Sequence, residues 1–283
     1  MGRRIDLHAH TCCSDGSLTP AELVRLARKK ELDVLAVTDH DTMEGVSEAM
    51  AEGEQIGIEV IPGIEFSTME EGHDVHMVGL FLDRECRELK EFLKTVVDRR
   101  KDRNHKMVQR LMDAGFALTW EDTAALGDGI WTRGNLAQLL VDLGYGSSVS
   151  ECMHLYLSPG CVGYEPKVAV SPAEAIQIVH RAGGLVFVAH FYQIDKKSLE
   201  NSARICRKIL AMGADGLETR YSCYDETMEH MAEEMAQDYN CLRSGGSDFH
   251  GKIKPGLELG DGYGHLEVPE EYLVCMKRKL GII

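Results

Sequence analysis

The stretch Ile5-Asp6-Leu7-His8-Ala9-His10 decides the fold, because it joins a short apolar run to two histidines spaced two residues apart. Residues two apart on a strand point to the same face. His8 and His10 can therefore present two imidazoles to one pocket, and neutral imidazole is the commonest metal ligand in proteins. The stretch predicts a strand that ends at a metal site.

Further candidate ligands follow later apolar runs in the same way. They are Asp15 in a Ser-Asp-Gly turn, His40 after the run 34–37, Glu65 after 60–64, His76 within 75–78, His190 after 185–189, and Asp248 and His250 in 245–250. In barrels built from βα units, active sites gather at the carboxyl ends of the strands. A lone histidine at such a place is usually structural, but so many at successive strand ends indicate a metal centre.

Strand-like and helical patterns alternate at both ends of the chain. We predict strands at 3–8, 33–38, 58–66, 73–82, 185–190, 215–219 and 241–245, and helices near 20–31, 45–57, 172–181, 196–212 and 225–238. This alternation is typical of βα units. Residues 86–157, in contrast, read almost wholly helical. We therefore predict an α/β fold in which residues 1–85 and 166–283 form a barrel and residues 86–165 form a helical insertion.

Charge and composition limit the classes of partner. The formal net charge of −15 argues against loose binding to long nucleic acid, which relies on Lys and Arg to neutralise phosphates. The one basic concentration, between Arg99 and Lys106, is either an exposed helix face or a patch that steers substrate. The sequence identifies no protein partner.

The expected location is the cytoplasm, with no membrane association. The chain starts with no apolar leader, and no apolar stretch approaches the ~20 residues of a membrane helix. The nine cysteines are scattered without a Cys-x-x-Cys pair, a pattern that favours free thiols in a reducing compartment.

These motifs resemble the PHP family, the polymerase and histidinol phosphatase superfamily of metal-dependent phosphoesterases. They read, in order, Asp6-Leu-His8-Ala-His10-Thr11, Ser14-Asp15-Gly16, Thr38-Asp39-His40-Asp41, Gly63-Ile-Glu65, Val75-His76-Met-Val-Gly79, Ala189-His190 and Ser247-Asp248-Phe-His250. The helical insertion and the length look most like the branch of nucleoside 3′,5′-bisphosphate phosphatases and 5′-to-3′ exonucleases of short RNA.

The resemblance implies a distorted (β/α)7 TIM-like barrel with a three-metal centre. One ion would be held by His8, His10, Glu65 and Asp248, a second by Glu65, His76 and His190, and a third by Asp15, His40 and His250. Such mixed ligands favour Mn²⁺, Fe²⁺ or Zn²⁺ over Mg²⁺ or Ca²⁺. Asp39 and Asp41 are expected to orient the ligating histidines, which usually donate their second ring N–H to a carboxylate or carbonyl.

The insertion is expected to cap the active site and to help bind phosphate. Where the related branch often has Arg-x-His, this chain has Arg133-Gly134-Asn135, and Phe191 stands where a proline is frequent. Arg133 is a candidate for bidentate phosphate binding, and Lys167 is a second candidate. A surface salt bridge is the competing interpretation for each.

The resemblance implies hydrolysis of a small phosphorylated substrate, such as a nucleoside 3′,5′-bisphosphate or a nucleotide, through attack by a metal-activated hydroxide on phosphorus. A cyclic phosphodiesterase acting on a sugar phosphate and a 5′-to-3′ exonuclease acting on short RNA are the alternatives within this chemistry. A metal-dependent amide hydrolase also uses His-x-His on a first strand, but usually with a metal-bridging lysine that is not evident here. A noncatalytic, metal-stabilised regulatory module is the remaining alternative.

Overall fold

A seven-stranded sheet is the central element of the computed structural model, which describes residues 2–126, 131–166 and 169–283. Its strands are β1 (Ile5–Asp6), β2 (Val34–Val37), β3 (Glu59–Glu70), β4 (His73–Leu80), β5 (Leu185–Val188), β6 (Gly216–Tyr221) and β7 (Leu242–Gly246). They lie side by side in chain order. Each pair of neighbours is parallel except at β4, which runs antiparallel to both β3 and β5.

The sheet curls until its last strand reaches its first. Just after β1, the Leu7 amide donates to the carbonyl of Gly245 at 3.2 Å, and the His10 amide donates to the carbonyl of Phe249 at 2.9 Å. A sheet that closes on itself in this way leaves few unpaired strand edges. The α/β barrel expected from the sequence is confirmed, and the reversed β4 is its distortion.

Ten α-helices are described, some of them very short. They are α1 (Pro20–Lys29), α2 (Val46–Ile56), α3 (Arg87–Asp113), α4 (Trp120–Ala124), α5 (Arg133–Asp142), α6 (Val149–Cys152), α7 (Pro172–Arg181), α8 (Leu199–Ala211), α9 (Glu226–Asp238) and α10 (Glu270–Lys279). Helix α1 begins with a capping box between Thr19 and Glu22, as the Thr-Pro-x-Glu sequence predicts. Helix α10 was absent from the sequence-based expectations, and it buries Tyr272, Leu273 and Met276.

The chain divides into two compact units. The first comprises Met1–Phe92 and Val170–Ile283 and contains the barrel; the second comprises Leu93–Ala169 and is helical. The barrel unit has a core that includes Ile61, Val78 and Phe187. The helical unit has its own core, which includes Val108, Leu111 and Leu136. In the described part of the chain, no helix has both the length and the apolar character that crossing a bilayer requires.

The β3–β4 hairpin departs from the predicted strand bounds in a way that matters for the site. We expected Glu65 to end its strand, but β3 continues to Glu70 and turns back at Glu71 and Gly72. Both turn residues have positive φ, 51° and 81°, as a tight hairpin turn with a right-handed twist requires. Glu65 therefore lies in the middle of a long strand.

Candidate metal centre

Residues His8 and His10 lie on the extended segment that follows β1. Both side chains are fully buried, and their Nε2 atoms are 3.1 Å apart. Hydrogen bonds on both sides hold this segment, since Thr38 N donates to the carbonyl of Ala9 and Asp248 N donates to that of His8. Pairing with the backbone on either side fixes the direction in which the two rings point.

The register of the β3–β4 hairpin brings Glu65 and His76 together. Glu65 pairs with Val78 and Ser67 pairs with His76, so Glu65 and His76 are diagonal neighbours on one face of the antiparallel pair. His76 Nδ1 lies 3.1 Å from Glu65 Oε1. His190, just after β5, brings its Nε2 to 2.9 Å from the same oxygen.

Glu65 is the centre of the cluster, because its two oxygens face five imidazoles. Its Oε2 lies 3.3 Å from His8 Nε2, 3.2 Å from His10 Nε2 and 3.2 Å from His40 Nδ1, while Oε1 faces His76 and His190. The carboxylate itself is buried. A carboxylate in this position can serve two cations at once.

Asp248 provides a second buried carboxylate. Its Oδ1 lies 3.2 Å from His10 Nε2 and 3.6 Å from His8 Nε2. Its Oδ2 accepts hydrogen bonds from Tyr221 Oη at 2.7 Å and from Lys254 Nζ at 2.6 Å. The two oxygens thus have separate functions, one facing the histidines and the other anchored to the barrel.

A third group of donors surrounds Asp15, which is about half exposed. Asp15 Oδ1 is 3.3 Å from His250 Nε2 and 3.7 Å from His10 Nδ1, and Oδ2 is 3.8 Å from His40 Nε2. The rings of His10 and His250 stack with their centroids 4.1 Å apart. His10 therefore belongs to this group as well as to the group around Asp248.

Three non-glycine residues in or beside the cluster have a strained backbone. Asp41, His190 and Asp248 have positive φ angles of 55°, 23° and 56°. Non-glycine residues rarely adopt such angles, and where they do, the surrounding structure enforces them at functional sites. Here the angles aim His190 and Asp248 inward at the ends of β5 and β7.

The electrostatics of the cluster favour positive charge next to Glu65 and Asp248. Burial opposes protonation of His10, but hydrogen bonds to Asp248 and Glu65 outweigh it and raise its pKa to about 9. Burial also disfavours the carboxylate form of Glu65, yet the adjacent imidazoles of His40, His8 and His76 keep its pKa well below the usual range. Burial lowers the pKa of His40 to about 3.

The polar atoms left without hydrogen bonds fit a metal centre. Within the described residues, His10 Nδ1, His40 Nδ1 and Glu65 Oε2 are buried and have no hydrogen-bond partner. Leaving a buried polar atom unsatisfied costs about 1–3 kcal/mol. A divalent cation would satisfy such atoms, because imidazole nitrogen and carboxylate oxygen are its ordinary ligands.

The described residues contain three groups in which the ligand atoms lie within 4.8 Å of one another: His8, His10, Glu65 and Asp248; His10, Asp15, His40 and His250; and His40, Glu65 and His76. The first is the same set that the resemblance implies, and the second adds His10 to an implied set. The third contains His40 where His190 was expected, although His190 also contacts Glu65. The structure thus brings together all nine candidate ligands.

The two aspartates expected to orient histidines bind backbone and hydroxyl groups. Asp39 accepts hydrogen bonds from Thr11 N at 2.7 Å, Thr11 Oγ1 at 2.6 Å and Ser14 Oγ at 2.6 Å. Asp41 accepts one from Ser67 N at 2.9 Å. Asp39 therefore fixes the loop that carries Asp15, and Asp41 ties the end of β2 to β3.

Glu218 on β6 is a buried carboxylate that holds two of the histidines, and it was not among the residues predicted from the sequence. It is fully buried, its Oε1 accepts a hydrogen bond from His8 Nδ1 at 2.8 Å, and its Oε2 accepts one from His190 N at 2.7 Å. One signal could have revealed it, since Glu218 is an acidic residue at the carboxyl end of a predicted strand, as the candidate ligands are.

The two phosphate-binding candidates belong to the other part of the chain. Arg133 begins α5, its Nη1 donates to the carbonyl of Leu157 at 3.4 Å, and its guanidinium lies 5.9 Å from the centre of the Tyr164 ring. Lys167 lies outside the described residues. Phosphate binding by either residue stays a prediction, as does capping of the site by the insertion.

Several known proteins are similar to this chain in sequence and in structure. The sequence model of the PHP domain matches residues 6–142. A 5′-3′ exoribonuclease from Haemophilus influenzae is 32% identical over 92% of this chain and 95% of that protein. A 3′,5′-nucleoside bisphosphate phosphatase from Chromobacterium violaceum is 33% identical over 90% of each.

The structural comparison agrees with the sequence comparison. A crystal structure from Bifidobacterium adolescentis, assigned to the metal-dependent phosphoesterases, superimposes with a TM-score of 0.78. The match covers 98% of this chain and 96% of that one, at 30% sequence identity.

Proposed function

Because this chain belongs to the PHP family of metal-dependent phosphoesterases, we propose that it hydrolyses the phosphate ester of a small phosphorylated substrate such as a nucleoside 3′,5′-bisphosphate or a nucleotide. The observation that carries this proposal is the arrangement of five imidazoles around the single buried carboxylate of Glu65. Similarity over nine-tenths of the chain to a nucleoside bisphosphate phosphatase supports the class of substrate.

We propose that the site holds three divalent ions, Mn²⁺, Fe²⁺ or Zn²⁺. The nine ligands would be His8, His10, Asp15, His40, Glu65, His76, His190, Asp248 and His250. When bound, closely spaced ions lower the pKa of water toward ~7 and neutralise phosphoryl oxygens. Glu65 is suited to serve two of the ions, since its two oxygens face different histidines.

The surrounding residues keep the ligands in a state that can bind metal. By accepting the Nδ1–H of His8, Glu218 leaves the Nε2 lone pair of that ring pointing into the cluster. Tyr221 and Lys254 hold one oxygen of Asp248 and so leave the other for the cluster. No side-chain nucleophile is needed in this scheme.

Cleavage of short RNA from its 5′ end is the second candidate activity. The observation in its favour is the similarity to a 5′-3′ exoribonuclease over 92% of the chain. For either activity we propose a cytoplasmic location. All nine cysteines are free thiols, as is usual in a reducing compartment.

The test is phosphate or nucleotide release in the presence of Mn²⁺. The substrate panel contains adenosine 3′,5′-bisphosphate, adenosine 5′-phosphate, a ribose cyclic phosphate and a short 5′-phosphorylated RNA. We expect the bisphosphate to be preferred, and preference for the RNA would replace the first candidate with the second. If the wild-type protein binds Mn²⁺ but acts on none of these substrates, the proposal is wrong.

Substitutions in the cluster test whether its residues are needed for that activity. Asp15→Asn and His250→Gln should lower kcat by more than ~100-fold. The thermal midpoint of metal-free Asp15→Asn should change little, because the Asp15 side chain is about half exposed. His230→Gln, on the exposed face of α9, is the matched control and should keep full activity. Retained activity in both cluster variants would contradict the three-ion proposal.

A further inference from the structure

A cavity of about 240 Å³ lies beside the metal cluster. It is lined by Asp74, His76, His190, Gln193, Ile194 and Lys196. His76 and His190 are also candidate ligands, so a molecule in this cavity would lie next to the reacting phosphate. The function proposed above uses none of the other four residues.

The turn that carries Lys196 is held firmly on the barrel. It follows a short 3-10 helix, Phe191–Gln193, and precedes α8. Asp195 N donates to Ser202 Oγ at 2.9 Å, and the Asp195 carboxylate accepts hydrogen bonds from Lys197 N at 3.0 Å and Asn201 Nδ2 at 2.9 Å. The backbone at Lys196 is therefore braced on both sides.

The ammonium group of Lys196 is available for an anionic ligand. Within the part of the chain that the structure describes, no carboxylate lies within 4.0 Å of Lys196, whereas Lys208 and Lys254 each bind one at less than 3 Å. In a chain with a net charge of −15, a cation on a braced turn beside a metal cluster is a distinctive feature. An ammonium group presents three donors to a phosphate.

The other polar groups in the cavity suit a hydroxylated molecule. Asp74 contributes a carboxylate, a group that accepts hydrogen bonds from ribose hydroxyls in other nucleotide sites. The Gln193 side chain donates to Tyr221 Oη at 3.0 Å, so its position is fixed. At 240 Å³ the cavity is smaller than the ~300–1,000 Å³ usual for drug-sized ligands, which favours a single sugar phosphate over an oligomer.

We propose that this cavity is the leaving-group subsite of the phosphoesterase and that Lys196 binds a second phosphate carried by the leaving group. The inference rests on the function proposed above and makes it more specific. The reacting phosphate lies at the ions, the sugar lies in the cavity, and the distal phosphate pairs with Lys196. Lys196 thereby selects bisphosphorylated over monophosphorylated substrates.

The experiment compares Lys196→Met with Lys197→Met. The two lysines are adjacent and both exposed, but only Lys196 lines the cavity. For Lys196→Met we expect kcat/KM on adenosine 3′,5′-bisphosphate to fall about 10- to 100-fold, mainly through KM, as for the loss of a hydrogen bond to a charged group. Lys196→Arg should recover part of the loss, and Lys197→Met should behave as the wild type.

Product inhibition gives an independent readout. In Lys196→Met the inhibition constant of adenosine 5′-phosphate should rise by a similar factor, while that of inorganic phosphate, which lacks a leaving group, should not change. Equal weakening of both inhibitors, or no change in either, overturns the subsite. A wild-type protein that is inactive on every substrate overturns the proposed function and this inference with it, whereas an active wild type with an unaffected Lys196→Met overturns this inference alone.

Discussion

Glu218 shows, at the scale of single residues, how a buried charge outside the cluster controls its chemistry. The side chain touches no candidate ion site, yet its two oxygens hold the His8 ring and the His190 backbone. A carboxylate in that position keeps His8 in one tautomer and makes its free nitrogen a stronger donor. Removing the charge while keeping the shape should therefore weaken metal binding without disrupting the fold.

We predict that Glu218→Gln lowers Mn²⁺ affinity about 10- to 100-fold, the usual cost of losing such a partner. Isothermal titration calorimetry on metal-stripped protein measures this directly. Glu234→Gln, an exposed glutamate on α9, is the control and should bind Mn²⁺ as the wild type does. Unchanged affinity in Glu218→Gln would show that His8 needs no such support.

At the scale of secondary-structure elements, the backbone of β7 approaches that of β1 and the segment after it very closely at Gly246. A Cβ placed on Gly246 would lie 2.5 Å from the His8 amide nitrogen and 2.8 Å from Asp6 Oδ1. Neither neighbour can yield easily, since one is backbone and the other belongs to a buried carboxylate with four hydrogen bonds. Only glycine fits where the barrel closes.

Gly246→Ala should therefore lower the free energy of unfolding by about 1–3 kcal/mol, the typical cost of overpacking, and should also weaken Mn²⁺ binding because it displaces His8. Gly134→Ala is the control, and we expect it to raise the free energy of unfolding. It lies within α5, where an added methyl meets its first neighbour at 3.4 Å, so stability should rise by about 0.5–1 kcal/mol. Urea unfolding measures both variants, and a fully stable Gly246→Ala would contradict the close approach.

Most of the barrel's elements could be predicted from the sequence, because apolar runs and capping residues mark them locally. The predicted helix 172–181 has the observed bounds of α7, and α1 begins at the proline that signals it. The direction of β4 could not be predicted from such signals, since a strand pattern is the same for parallel and antiparallel pairing. Helix α10 was missed because no side chain caps its start, although its acidic first turn and basic last turn are sequence signals of a helix.

The residues of the candidate site could be predicted from the sequence, but their arrangement could not. Residues that end strands could be identified singly, but their grouping depends on distances across the barrel. Hence His40 approaches Glu65 and His76, although the resemblance assigns it to another ion. Lys196 also escaped notice, since only the three-dimensional turn places it at the cavity.

At the scale of the whole molecule, metal should act as a stabilising ligand of the barrel. The candidate ligands come from the segment after β1 to the segment after β7, so bound ions would stabilise the folded chain and not the unfolded one. At a free Mn²⁺ concentration of 100 times the dissociation constant, one site adds about 2.7 kcal/mol. That corresponds to roughly 5–10 °C in the thermal midpoint of a unit of this size.

We therefore predict that stripping metal with a chelator lowers the thermal midpoint by about that amount and that added Mn²⁺ restores it. Differential scanning calorimetry measures the change. The same titration on the Asp248→Asn variant should give a smaller shift. A midpoint that does not respond to metal would contradict the proposed ligands.

The two ends of the chain meet at Glu59 on β3. Its carboxylate pairs with Arg3 at 2.7 Å and with Lys277 of α10 at 2.6 Å. Burial favours the neutral acid, but the two cations dominate and hold the pKa of Glu59 below its usual value. A depressed carboxyl pKa contributes stability above the unfolded-state value of about 4.3, and that contribution is lost as the pH falls through the folded-state pKa.

We predict that Glu59→Gln is less stable than the wild type at pH 7 and that the difference shrinks toward zero as the pH falls from 5 to 3. Thermal midpoints of both proteins across that range test this. Glu91→Gln, on the exposed face of α3, serves as the control with little difference at any pH. A difference that persists at pH 3 would assign the effect to packing.

Because β7 closes the barrel against the segment after β1, the candidate metal centre is completed late in protein synthesis. His8 and His10 are made first, but their neighbour Asp248 is made some 240 residues later. At ~5–20 residues per second, a ribosome takes roughly 10–50 s to complete the site. Glu65 is made early, but Asp248 is missing throughout that interval, so the group of His8, His10, Glu65 and Asp248 is completed only once β7 has been made.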